Sequence, residues 1–114
     1  MQSKKQIRAS VRHVLALLSS KEQQINFQQQ SPSANVALEL LCLWFNELYN
    51  PGSQLFSRSF SNSELTAIQE FNHYYNLRKG KLPESIEELH QDQDWDVIVQ
   101  ESKRVLSIID KDDE

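Results

Sequence analysis

The pattern Glu-x-x-His occurs twice in this sequence, at Glu70 and His73 and again at Glu87 and His90. Side chains three positions apart lie on the same face of an α-helix, so each pair has the spacing of a two-ligand chelate. Four-helix bundles that bind two iron ions use two such pairs together with a glutamate from each of two other helices. A metal-binding helical protein is therefore one hypothesis for this chain.

The positions of the two pairs argue against a metal site. Gly80 and Pro83 separate them, and the second pair falls on a short predicted helix. In a di-iron bundle each pair lies mid-way along a long helix. The pattern is also short enough to occur by chance in a chain that is rich in glutamate. We therefore assign no metal ligand and expect no cofactor.

The sequence patterns of other enzyme classes are also missing. Two glycines are too few for a phosphate-binding loop or a dinucleotide fingerprint, and no Gly-x-Ser-x-Gly motif is present. Cys42 falls in an apolar run, where burial would make a reactive thiolate costly. We assign no catalytic residue and predict a protein without enzymatic activity.

Glu39 is the one charged residue in the longest apolar stretch of the chain, from Val36 to Phe45. A buried carboxylate must be paired with a cation or be protonated. We predict that Glu39 either forms a polar edge on that helix or is a buried polar residue in an ion pair with Arg12, Arg58 or Arg78. The alternative is that Glu39 lines a pocket for a small ligand between helices.

The net charge changes sign along the chain. Residues 1–58 carry six basic and three acidic groups, a net charge of +3, whereas residues 59–114 carry a net charge of −7. Solvated helix faces account for most such patterns, but an acidic surface also attracts a basic protein partner. The residues that we assign to this possible interaction surface are Asp92, Asp94, Asp96, Glu101 and Tyr74.

Nucleic acids and membranes are not expected partners. The basic residues near the amino terminus are few, no aromatic residues alternate with them, and the isoelectric point is about 5.4. The longest apolar stretch falls short of the roughly 20 residues that cross a bilayer. A single cysteine is typical of a reducing compartment, so we predict a cytoplasmic protein.

The spacing of apolar residues predicts an all-α fold. Two glycines and three prolines would not supply the turns of an all-β protein of 114 residues. We predict one domain over residues 1–114, a compact bundle of four main helices plus one short helix. Residues 110–114 form a predicted frayed acidic tail.

In the first half of the chain we predict two helices and a linker between them. The first helix runs from about Ser3 to Lys21, and a polar linker follows from Gln23 to Ser33. Ser31-Pro32 begins an apolar central helix over residues 32–49, which Asn50-Pro51-Gly52 ends. Because this central helix is apolar nearly all round, the other helices must surround it, and a homo-oligomer is possible.

In the second half we predict a loop from Pro51 to Phe60 and three further helices. A capping box at Ser61-x-x-Glu64 begins a long helix that ends at Gly80 in a left-handed conformation. Pro83 then begins a short helix, and Asp92 or Asp94 caps the last helix.

These observations favour a small interaction or regulatory module with a protein partner, which we expect to be basic. One specific alternative is a toxin-neutralising protein of the immunity or antitoxin kind. Such proteins are often small, acidic and helical because many of their targets are basic nucleases, so this alternative is an analogy of charge and fold class. The metal-binding hypothesis is the second alternative.

Overall fold

The computed structural model describes residues 3–113, with the side chains of residues 3–109, and no strand occurs in this part of the chain. The predicted all-α bundle is confirmed. Its α-helices, in chain order, are α1 (Lys4–Ser19), α2 (Lys21–Gln30), α3 (Val36–Cys42), α4 (Gln54–Arg58), α5 (Asn62–Arg78), α6 (Ile86–Leu89) and α7 (Gln93–Asp113). A π-helix, Leu43–Leu48, continues α3, and a 3₁₀ turn, Lys79–Lys81, follows α5.

The long helix α7 lies between α1 and α5 and packs extensively against both. The apolar stripe of α1 is buried as its spacing predicts, and each fully buried aliphatic side chain contributes about 1.5–3 kcal/mol to stability. Its members are Ile7, Val11, Val14, Leu15 and Leu18. The π-helix packs against α1, while α3 contacts α2 and α6.

A row of aromatic rings runs through the core from α4 to α7. Neighbouring ring centres in this row lie between 4.9 and 6.4 Å apart, mostly edge to face, which is the favoured arrangement of aromatic pairs. In order, the rings belong to Phe60, Phe56, Tyr49, Trp44, Phe71, Tyr75 and Trp95. The row joins the end of the bundle near Arg8 to the end near Gln24.

The predicted linker Gln23–Ser33 is wrong, because residues 21–30 form α2. The hydroxyl of Ser20 caps this helix by accepting a hydrogen bond from the backbone N–H of Gln23 at 3.2 Å. Glutamine favours helix, and the buried residue of α2 is Gln24, while Phe27 is its one apolar side chain packed against the core. A search for apolar spacing therefore misses this helix.

The apolar helix predicted over residues 32–49 begins later than expected. Ser31-Pro32 belongs to a turn in which the backbone N–H of Ala34 donates to the carbonyl of Ser31 at 2.9 Å. Asn35 is the actual cap, since its side chain accepts from the N–H of Leu38 at 3.1 Å. The helix then continues as α3 and the π-helix to Leu48, and Cys42 within it is half-buried rather than buried.

The prediction that Glu39 is buried is wrong. Its side chain is exposed on the outer face of α3, next to Leu38, which is 54% exposed. The helix is apolar in sequence nearly all round, but only one side of it is covered. Glu39 therefore needs no buried counter-ion, and it lines none of the cavities described below.

The second half of the chain follows the prediction with local differences. The capping box at Ser61 begins α5, but Gly80 lies in the 3₁₀ turn without the predicted positive φ. A short helix, α4, interrupts the predicted loop, and α6 begins after Ser85 rather than at Pro83. The side chains of the predicted frayed tail, residues 110–114, lie outside the described residues, and the backbone of α7 is helical to Asp113.

A buried ion pair joins α1 to the beginning of α5. Two nitrogens of Arg8 donate to the two carboxylate oxygens of Glu64 at 2.7 and 2.9 Å, and Arg8 also donates to the carbonyl of Ser59. Glu64 is 1% exposed and also accepts from the N–H of Ser61. Burial raises the pKa of Glu64, but the hydrogen bonds and charge of Arg8 and the N–H of Ser61 lower that pKa below its ordinary value.

We expect Glu64→Ala to lower the free energy of unfolding by about 3 kcal/mol, because it removes the buried carboxylate that pairs with Arg8 and accepts from the N–H of Ser61. Urea unfolding followed by the fluorescence of the buried Trp44 and Trp95 measures this change. Glu70→Ala is the matched control and should cost less than about 1 kcal/mol, since Glu70 forms an exposed pair at 3.3 Å. Equal costs for the two variants would contradict the assignment.

Candidate functional site

The two Glu-x-x-His pairs do not come together in the structure. Glu70 is exposed and lies 3.3 Å from Arg104, and His73 is exposed on the outer face of α5. His90 points instead into the bundle, where its Nε2 lies 2.8 Å from Oε1 of Gln24. Within residues 3–109, no group of three or more His, Cys, Asp or Glu side chains is placed to hold a metal ion.

Tyr74, Arg78 and Asp94 form one small cluster between α5 and α7. The guanidinium of Arg78 lies 5.6 Å from the centre of the Tyr74 ring, and its Nε lies 3.4 Å from a carboxylate oxygen of Asp94. Asp92 caps α7 as predicted, because its carboxylate accepts from the N–H of Trp95 at 2.9 Å. Tyr74 is 38% exposed, but the two acidic groups already have partners within the chain.

The other acidic residues of the predicted interaction surface also have cations beside them. Glu101 accepts from Nε of Arg104 at 2.8 Å, and the same guanidinium reaches Glu70. Asp96 lies 3.9 Å from Nζ of Lys21. The charge of this face is therefore largely balanced locally, which weakens its attraction for a basic partner.

The side chain of Gln24 is the polar centre of the bundle, and sequence reasoning missed it. Its Nε2 donates to the carbonyls of Leu17 and Leu18 at 2.8 and 3.1 Å, at the end of α1. Its Oε1 accepts from Nε1 of Trp95 at 3.1 Å and lies 2.8 Å from Nε2 of His90. An amide oxygen can only accept, so we assign the proton of the neutral His90 ring to Nε2.

Burial lowers the pKa of His90, and the positive charge of Lys21 lowers it further, while Glu87 acts in the opposite direction. Nζ of Lys21 also donates to the carbonyl of His90 at 3.3 Å. Hydrogen bonds therefore hold both the ring and the backbone carbonyl of His90 in place. This role leaves its Nε2 unavailable as a metal ligand.

An open groove of about 430 Å³ lies between α1 and the π-helix, and we name it the α1–π groove. Its walls are Ala9, Ser10, His13 and Val14 on α1 and Leu43, Glu47 and Leu48 on the π-helix. A second cavity of about 110 Å³ shares Ser10, Glu47 and Leu48 and continues to Ile7 and Phe56. The two cavities therefore adjoin at Ser10, Glu47 and Leu48 and together make up the α1–π groove, whose larger part has an apolar floor.

The π-helix gives this groove one of its walls. The N–H of Tyr49 donates to the carbonyl of Trp44, five residues earlier, at 2.8 Å. The wider turn rotates the following side chains relative to an α-helix, so that Trp44 is buried while Glu47 and Leu48 line the groove. Such turns occur frequently at functional sites, but no sequence pattern predicted this one.

Ser10, His13 and Glu47 combine the residue types of a hydrolytic triad. Within the described residues, however, no hydrogen bond or ion pair joins these three side chains. Activation of a serine requires a base within hydrogen-bonding reach and a third group that orients the base. The arrangement therefore offers a polar edge to a bound molecule rather than an assembled catalytic relay.

A separate cavity of about 210 Å³ lies beside the exposed Leu38, between α3 and the segment that follows α5. Lys79 lines it, and Nζ of this lysine lies 4.6 Å from the centre of the Phe45 ring. The volume is below the range of about 300–1,000 Å³ that is usual for ligand sites. The α1–π groove falls within that range and is the stronger candidate.

Comparisons of the chain with protein-family models, with curated proteins and with solved structures find no match. Within the described residues, no helix combines the length and the apolar composition that crossing a membrane requires. The candidate site is therefore argued from geometry alone.

We expect stability to fall as the pH is lowered through the range just below 6.5, because the unfolded chain binds a proton at His90 more readily than the folded chain does. The contribution of His90 is complete above pH 6.5 and is lost towards its lower folded pKa. Urea midpoints at pH 5.5 and 7.5 measure the change. The difference between the two urea midpoints should be smaller in His90→Gln than in the wild-type protein. It should be unchanged in the control His73→Gln, whose ring is exposed. An unchanged pH dependence in His90→Gln would refute this account.

Proposed function

We propose that this protein is a non-enzymatic interaction module that binds a short segment of another protein in the α1–π groove. The observation that carries this proposal is the pair of adjoining cavities, about 430 and 110 Å³, which share Ser10, Glu47 and Leu48. Its volume and its apolar floor are typical of binding sites.

The length of the groove suits a peptide segment. Ile7 and Val14 mark its extent along α1, and seven residues of α-helix span about 10 Å. An extended chain advances about 3.3 Å per residue, so the groove accommodates roughly three residues of a partner. Its position on an open surface, rather than in an enclosed chamber, leaves room for the rest of the partner chain.

The acidic face that the sequence suggested is a weaker candidate for the contact. Asp94, Asp96 and Glu101 each have a cation of this chain nearby, and Asp92 caps a helix. The groove, in contrast, has apolar surface that a partner would remove from water, at about 25 cal/mol per Å². We propose the cytoplasm as the place of this interaction, on the basis of the single cysteine.

Selection from a displayed library of 12-residue peptides tests the proposal. Peptides selected on the wild-type protein should lose at least about tenfold in affinity for Ala9→Trp, because the indole fills the groove; tenfold corresponds to about 1.4 kcal/mol. Ala9 is exposed, so the fold should survive. Gln69→Trp, on the exposed face of α5, is the matched control and should bind normally.

Three outcomes would overturn the proposal. The first is a library that yields no binder, and the second is a set of selected peptides that bind Ala9→Trp as tightly as the wild-type protein. The third outcome concerns a second copy of this chain. If the protein sediments as a dimer that Ala9→Trp dissociates, then the groove is a self-association surface instead.

A further inference from the structure

Glu47 is the carboxylate that lines the α1–π groove, and among the described residues it has no charged partner there. It lines both cavities of the α1–π groove and is exposed. Within the described residues, no ion pair or hydrogen bond reaches its carboxylate. Glu64 and Glu101, in contrast, are held by arginine at 2.7 and 2.8 Å.

The rest of the groove supplies no charge that would balance Glu47. It is the only carboxylate among the described residues that line the two cavities, and no lysine or arginine lines them. The floor beside it is apolar and includes Val14, Leu43 and Leu48. A molecule that fits this groove therefore combines a cation with an apolar body.

Lysine and arginine side chains have this combination, because their aliphatic stems cover apolar surface while the charged ends stay near water. We propose that the partner segment presents a lysine or arginine, next to an apolar residue, to the α1–π groove and that Glu47 binds the cation. This inference rests on the proposed function and names the chemistry of its partner. It also places the attraction for a basic partner on the π-helix rather than on α7.

Titration of the isotope-labelled protein with three six-carbon probes tests the chemistry directly. Hexylammonium should shift the backbone NMR signals of residues 7–14 and 43–48 and bind about three- to fivefold more tightly than hexanol, as expected for one partly exposed ion pair. Hexanoate should bind most weakly because Glu47 repels it. Added salt should reduce the advantage of hexylammonium.

Glu47→Gln should bind hexylammonium and hexanol equally, because the amide keeps the shape of the side chain and removes its charge. Glu39→Gln is the matched control, since Glu39 is an exposed glutamate of the same helical stretch that lies outside the groove. This control should retain the preference of the wild-type protein. Both positions are exposed, so each variant should fold, and thermal unfolding of each variant checks this.

The peptide library tests whether the groove prefers a cation in a peptide as well as in a small probe. Peptides selected on the wild-type protein should be enriched in lysine or arginine beside an apolar residue, and selection on Glu47→Gln should lose the basic preference. If groove-binding peptides lack this preference, the inference about the partner fails while the proposed function stands. If hexylammonium binds but no peptide does, the groove is a site for a small amine, and both proposals fail.

Equal affinities of the wild-type protein for hexylammonium and hexanol would overturn the assignment of Glu47. A preference that survives in Glu47→Gln would do the same.

Discussion

The arrangement of the bundle depends on the hydrogen bonds of the Gln24 side-chain amide. It uses both of its donor positions on the carbonyls at the end of α1 and accepts hydrogen bonds from Trp95 and His90. One side chain thus joins α1, α2, the residue after α6 and α7. A buried amide without partners would cost about 1–3 kcal/mol for each unsatisfied group, so the elements around it have little freedom to shift.

The α1–π groove is a consequence of how α1 is held. The ion pair of Arg8 with Glu64 fixes its first half, and Gln24 fixes its last turn. Between these two points, Ser10 and His13 face the π-helix across a gap that no side chain fills. The groove thus lies between a helix held at both ends and a widened turn, and such preorganisation would reduce the entropic cost of the binding that we propose.

The sequence predicts those parts of this fold that arise from apolar spacing and local capping. The stripe of α1 and the capping box at Ser61 are examples, because each depends on residues close together in the chain. Gln24 could not be identified in this way, since its partners are supplied by distant residues of the fold. The groove was missed for a related reason: the π-helix places Glu47 beside α1, and no local pattern distinguishes a π-helical turn from an α-helical one.

The packing of α1 along α7 has a consequence for the synthesis of this protein. During synthesis α1 leaves the ribosome before α7, its main packing partner, and Trp95 must arrive before it can donate to the amide of Gln24. At about 5–20 residues per second, the side of α1 that packs on α7 waits roughly 5–20 seconds for this partner. Until α7 has emerged, part of the apolar stripe of α1 stays exposed, and such surface makes a partly folded chain prone to aggregation.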